Sequence, residues 1–301
     1  MNRPPKEALD VKPTELFPHR EDVDKANKDR LIQIKGFGQS YEAKDSGQLP
    51  KEQLDKVLSQ FMAPPKIFLK KEAQVMLIKN MDETLVNGST GVVKGFLTLH
   101  EFHLAKQALP NLYDDKYLDQ LEDLQKQWTM REQSPEKGAI ASLSAPSAAG
   151  GRNSNSGTPE PGAAGAAAPS KKAANSAAAR QKWPLVRFWL PNNGGARTEL
   201  IQTETWKNEL PNGEVQAQRA QLPLILAWAM SIHKSQGQTI PCCKIDLGRV
   251  FERGQAYVAL SRATSLEGLQ VCNFNPTKVM AHPRVIEWNK GLREMSPPGG
   301  S

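Results

Sequence analysis

The sequence predicts an α/β protein: a parallel sheet flanked by helices, an inserted small β-barrel, and a long disordered loop. Three observations carry this. Strand-like apolar runs alternate with helical patterns from residue 222 to 293, as parallel sheets require. Short apolar runs separated by turn signals crowd residues 66–93, which suits a small barrel or meander. Between Leu143 and Gln181 there is no Leu, Ile, Val or aromatic residue. Such a stretch cannot bury enough apolar area to offset its ordering entropy.

The elements follow in order. Leu16-Phe17 reads as a strand ended by His19-Arg20. Glu21 and Asp22 then put negative charge in a first helical turn, where the unpaired backbone N–H groups favour it. Val23, Asn27, Arg30 and Ile34 share that helix's face, but only two of them are apolar. An extended piece runs on to Ala43. Leu54, Leu58 and Phe61 make residues 51–62 an amphipathic helix, stopped by Pro64-Pro65. Lys66–Lys70 and Gln74–Lys79 read as strands. Asn87-Gly88 and Thr90-Gly91 are turn signals before Val92-Val93. Tyr117, Leu121, Leu124 and Trp128 stripe a helix over 113–130. After the loop at 133–182, strands are expected at Trp183–Phe188 and near 198–203 and 216–222, completing the barrel. Leu224–Ala227 is a buried-type run. Helices are then expected at 232–238, broken at Gly237, and at 253–263 and 285–292, with strands at 244–248 and 269–272.

Composition narrows the functional classes. The 301 residues carry 39 Lys and Arg against 32 Asp and Glu, a formal charge of +7. That excess permits a polyanionic partner. Three cysteines, two of them adjacent, exclude a disulfide framework and zinc-ligand spacing and fit a reducing compartment. The longest apolar run, Leu222–Met230, is far short of the roughly 20 residues a membrane span needs. The first residues form neither a signal peptide nor a presequence.

Two segments cluster groups that could do chemistry. In Ala227–Thr239, an apolar strand leads into a turn bearing His233, Lys234, Ser235 and Gly237. An imidazole, an ammonium, a hydroxyl and exposed N–H groups together suit phosphate oxygens. Ser235 lacks the Gly-x-Ser-x-Gly elbow of a nucleophile. In Gly254–Thr264, Arg262 ends an apolar helical stretch that begins at Gln255. Its guanidinium would suit the charge spread over a transferring phosphoryl group, or it could be a surface or salt-bridge residue.

In this order and about 20 residues apart, the two segments resemble motifs V and VI of superfamily-one helicases. The match is closest to the petite integration frequency (PIF-type) 5′-to-3′ DNA helicases. Leu16–Arg20 with Val23 and Asn27 resembles the family's motif IV. Ala73–Asn80 and Leu85–Gly91 resemble its inserted 2B barrel. The resemblance implies a RecA-like motor domain, 2A, at residues 1–48 and 216–295. It implies an SH3-like 2B region at 49–215 containing the disordered loop, and a tail at 296–301. It implies that Arg262 is an arginine finger on the γ-phosphate of ATP, with Gln255, Gly237 and Arg20 in the same cleft. His233, Lys234, Ser235 and His19 would contact or position DNA.

What the sequence lacks shapes the expected function. No Gly-x-x-x-x-Gly-Lys-Ser/Thr phosphate loop occurs. Met81-Asp82-Glu83 lies too far beyond its strand to be a magnesium site. The chain therefore reads as the C-terminal half of the motor, inactive alone, with ATP and Mg²⁺ acting only in the complete enzyme. Its implied partners are the N-terminal motor domain 1A, single-stranded DNA and DNA junctions, with no membrane. Family roles would be genome maintenance: telomeres, repair, recombination and mitochondrial DNA, in the nucleus and/or mitochondrion. Two alternatives remain: a catalytically inert single-stranded-DNA-binding module or helicase remnant, and an interaction protein docking through the Ala/Ser/Pro loop.

Overall fold

The computed structural model describes residues 12–108, 120–121, 123–128, 180–190 and 195–292. Described residues up to Phe96 and from Pro184 form one compact unit; those from Leu97 to Trp183 form a second. The loop expected at 133–182 lies outside the described residues except at 180–182. The helix expected at 113–130 lies within them only at 120–121 and 123–128, which are helical.

The first unit contains a four-stranded, wholly parallel sheet, the RecA-like feature expected. It is built from β1 (Thr14–Phe17), β12 (Ala229–Ser231), β13 (Cys243–Asp246) and β14 (Leu269–Cys272), in the order β12-β1-β13-β14. Its core includes Leu16, Met230, Ile232, Ile240, Ile245 and Leu247, each at most 2% exposed. Burying one such side chain stabilises by roughly 1.5–3 kcal/mol. Helix α1 (Arg20–Gln33) packs on β12. Its indistinct apolar stripe has a cause: Asn27 is buried and spends both ends of its amide on β12. Its Nδ2 donates to the Ala229 carbonyl and its Oδ1 accepts from the Ala229 N–H, both at 2.9 Å.

The antiparallel strands do not form one sheet. Five of them order as β11-β5-β6-β7-β8: β5 (Gln74–Leu77), β6 (Thr90–Leu97), β7 (Trp183–Leu190), β8 (Gly195–Leu200) and β11 (Leu224–Leu226). Strands β3 (Lys44–Gly47), β9 (Glu204–Glu209) and β10 (Val215–Gln221) form a separate sheet, β3-β10-β9. Strands β2 (Gly38–Glu42) and β4 (Lys66–Lys70) form a two-stranded ribbon. The strand near 216–222, expected in the barrel with the rest, thus pairs with β3 and β9 instead. Thr90-Gly91 is strand rather than turn. A Cβ on Gly91 would lie 2.6 Å from the Arg187 carbonyl oxygen, so the missing side chain permits close strand packing.

Buried polar side chains join these parts. Gln74 on β5 accepts from the Lys12 N–H at 2.9 Å and donates to the carbonyls of Lys12 (2.8 Å) and Ala227 (3.0 Å). The Thr14 hydroxyl donates to the same Ala227 carbonyl at 2.8 Å. Arg219 on β10 sits opposite Asp45 on β3 and grips it with two bonds, 2.7 and 2.8 Å. Its remaining arm donates to the carbonyls of Leu58 and Ala63, at and beyond the end of helix α2 (Lys51–Ser59).

In the second unit, helix α3 (Leu99–Ala108) is one the sequence patterning above does not anticipate. It is started by a capping box. The Glu101 carboxylate accepts from the Thr98 N–H at 2.6 Å, and the Thr98 hydroxyl accepts from the Glu101 N–H at 3.2 Å.

Candidate nucleotide and nucleic-acid face

Parallel strands align their carboxyl ends, and the loops beyond those ends are where α/β sheets bind ligands. Phe17 at the end of β1 is in register with Ser231 at the end of β12. His19 and Arg20 therefore emerge beside the turn that carries His233, Lys234, Ser235 and Gly237.

That turn is not the helix the spacing predicts. Ser231 organises it, its carbonyl accepting from the Ser235 N–H (3.0 Å) and its hydroxyl from the Lys234 N–H (3.3 Å). Ser235 is fully buried and its hydroxyl donates inward to the Ile232 carbonyl at 2.7 Å. This hydroxyl shapes the turn. Gly237 has φ +76°, a left-handed conformation that breaks a helix and that glycine adopts without steric cost. His233 is exposed, and Lys234 lines a groove while keeping part of its surface in solvent.

The segment before helix α4 (Gln255–Leu260) gathers the two histidines. The His19 ring stacks on Phe251, centroids 4.7 Å apart and planes 4° from parallel. His233 Nε2 lies 3.2 Å from a Glu252 carboxylate oxygen. Sequence reasoning assigned no role to Phe251 or Glu252, because neither residue type signals such a contact locally.

Helix α4 is shorter than expected. The Ser261 hydroxyl and Arg262 Nε both donate to the Val258 carbonyl, at 3.0 and 3.1 Å. Ile240 then bridges to Ala263 in parallel, and the Ile240 N–H donates to the Arg262 carbonyl at 2.9 Å. That pairing draws the chain out of the helix and fixes Arg262 against the other segment. The guanidinium also reaches the Gln238 carbonyl (3.3 Å) and the Ser261 hydroxyl (2.9 Å). All these acceptors are neutral. Among the described residues no carboxylate forms an ion pair with Arg262.

Two buried glutamines lie on the same two segments. Gln255, 4% exposed, accepts from the Phe251 N–H at 3.2 Å, while its Nε2 is buried without a partner. Gln238, 2% exposed, has neither Oε1 nor Nε2 bonded. Such atoms cost roughly 1–3 kcal/mol each when left unpaired, so they mark a place where a polar ligand would be favourable. Gln238 was not among the expected site residues; its extra polarity lay unremarked inside a motif already quoted.

Arg20 and Lys234 line one groove with Asp24. Burial, and then the neighbouring Arg20 charge, pulls the Lys234 ammonium below its ordinary pKa; Asp24 offsets this in part. Among the described residues no hydrogen bond joins Arg20 to Gln255. Asp82, near the magnesium-site lookalike, is otherwise engaged. It accepts from the Thr84 and Leu85 N–H groups and from Arg197, which holds its carboxyl well below the usual range.

Residues 52–96 match the family model of the 2B domain of the DNA helicase Pif1. The chain is 46% identical over 280 residues to the ATP-dependent DNA helicase PIF1 of Emericella nidulans, covering 93% of this chain and 33% of that protein. It is 39% identical over 296 residues to the PIF1 helicase of Candida albicans, covering 97% of this chain and 32% of that one. The chain is thus similar to the Pif1 helicases. The crystal structure of Candida albicans Pif1 superposes with a TM-score of 0.63 at 36% identity, over 97% of this chain and 52% of that one. The chain thus spans about a third of the length of its curated Pif1 relatives. Among the described residues no helix is long and apolar enough to cross a membrane, and no three His, Cys, Asp or Glu residues form a metal-binding group.

Proposed function

We propose that this chain supplies the arginine-finger lobe, domain 2A with its inserted 2B region, of an ATP-dependent 5′-to-3′ DNA helicase. The single observation that carries this is Arg262. It is held against the Gln238 carbonyl by a parallel bridge, with neutral acceptors and, among the described residues, no carboxylate paired with it. A guanidinium so placed stabilises charge on a transferring γ-phosphoryl group, an effect worth 10³–10⁵ in rate in order of magnitude. The unpaired amides of Gln238 and Gln255 would bond the same nucleotide. ATP would supply the transferable phosphoryl group, and the Mg²⁺ ligands and phosphate loop would come from a complementary 1A lobe. His19, His233 and Lys234 would contact single-stranded DNA, with Ser235 holding their turn in shape. Arg20 would bear on phosphate, whether of nucleotide or of strand. The antiparallel strands would form an SH3-like 2B module guiding the strand at junctions. Genome maintenance in the nucleus or mitochondrion, including telomere upkeep, repair and recombination, would be the cellular role.

Steady-state ATPase measurement tests this division of labour. The chain alone, with saturating single-stranded DNA and Mg²⁺, is expected to show no turnover. A rate of about 1 s⁻¹, the low end of ordinary enzymes, contradicts it. A second reading, a binding module without catalysis, rests on the cations Arg20 and Lys234, which form no ion pair among the described residues. It predicts salt-dependent DNA binding and no gain of ATPase when a phosphate-loop lobe is supplied.

A further inference from the structure

A groove of about 360 Å³ runs beside the edge strand β12, between α1 and the β2–β4 ribbon. One helical face of α1 forms its wall, with lining positions 20, 24, 27, 28 and 31 at the three- and four-residue spacing of a single stripe. Four cations line it: Arg20 and Lys28 from α1, Lys66 from β4, and Lys234 from the turn after β12. Asp24 is the one acidic residue of the lining. Among the described residues Arg20, Lys28 and Lys234 form no ion pair, and Lys66 has only an exposed pair with Glu42, 3.0 Å. Exposed pairs of this kind are worth about 0–1 kcal/mol, so Lys66 is readily released. Phe68, 40% exposed, also lines the groove.

A fold that gathers like charges with little opposing charge is stabilised by an anion lying among them. Arg20 and Lys28 lie eight residues apart on α1, about 12 Å along the axis at 1.5 Å per residue. That length calls for a linear polyanion, and the half-exposed aromatic ring beside the cations suits a base. We propose that this groove binds a further stretch of single-stranded nucleic acid, continuing from the strand at His233, with phosphates along α1 and a base stacked on Phe68. The proposal rests on the DNA-binding reading above for the strand it extends. Lys28, Lys66 and Phe68 belong to this groove alone.

Fluorescence anisotropy of labelled oligo-dT with the full 301-residue chain tests it, across salt concentrations. The proteins compared are the parent chain, Lys28→Glu with Lys66→Glu, Phe68→Ala and His233→Ala, each checked for unchanged circular dichroism. The double variant is expected to lower the slope of log affinity against log salt by about 1.4, two phosphates at about 0.7 each. Phe68→Ala is expected to weaken oligo-dT about tenfold and leave a polyglutamate control unchanged. An unchanged salt slope in the double variant overturns the groove, even where His233→Ala weakens binding and the strand reading survives. A lowered slope with parent-like binding by His233→Ala upholds the groove and removes the strand site at His233. Equal losses for oligo-dT and polyglutamate, with Phe68→Ala silent, overturn the nucleic-acid assignment in favour of an acidic peptide. A parent chain that does not bind oligo-dT overturns both.

Discussion

The joint between the sheets and the Arg262 face are both rich in buried polar side chains, yet they treat them oppositely. At the joint, Gln74, Asn27 and Arg219 have bonded side-chain groups on every side. At the Arg262 face, three amide atoms of Gln238 and Gln255 are buried and unbonded. Evolutionary economy is not needed to explain the first: a satisfied polar group in low dielectric rigidifies and specifies one packing. The second costs stability; under the proposed function a nucleotide would complete it.

The largest effect expected is at Arg219. Arg219→Ala leaves Asp45 facing no counter-charge and strips the Leu58 and Ala63 carbonyls. The buried carbonyls left unpaired cost about 1–3 kcal/mol and the exposed Asp45 adds up to about 1 kcal/mol, read as a lowered urea midpoint with unchanged slope. Gln74→Ala and Asn27→Ala each orphan buried backbone groups and should cost about 1–3 kcal/mol. Gln238→Leu should be neutral or stabilise the isolated chain by up to about 1 kcal/mol, since both polar atoms it removes are unpaired. If Gln238→Leu destabilises as much as Gln74→Ala, the contrast between the regions fails. The smallest effect concerns Cys243, whose thiol burial pushes up to about 12, with the neighbouring Cys242 adding to it. The folded state holds its proton more tightly than the unfolded one. Its contribution to stability is complete below about pH 9 and is lost as pH rises towards 12. At pH 8, alkylation followed by mass spectrometry should therefore modify the half-buried Cys272 well before Cys243.

Most of the parallel sheet was legible as short apolar runs bounded by helices, although only alternate residues of β1 and β13 are fully buried and the run at Leu224–Ala227 pairs antiparallel with β5 while β12 takes the parallel place. Helix α3 was legible in principle, in Thr98-x-x-Glu101, but its weak stripe hid it. The turn at 232–237 was misread as helix because its spacing mimics one. What decides it is the local detail: the Ser231 bonds to residues three and four ahead and the positive φ of Gly237. Arg262 could be picked out as a lone cation ending an apolar stretch. Its position could not, since that depends on the Ile240–Ala263 bridge between segments 23 residues apart. The ribbon, the separate β3-β10-β9 sheet and the groove along α1 depend on strand pairings over long separations, which local pattern does not encode. The same is true of the stack of His19 on Phe251.

Fusing this chain to a Pif1 phosphate-loop lobe and measuring single-turnover ATP hydrolysis with Arg262 and with Arg262→Ala tests the central claim most directly. A fall of about 10³-fold or more, with unchanged ATP affinity and unchanged melting temperature, is the predicted result. Hydrolysis at the same rate in both proteins would contradict it.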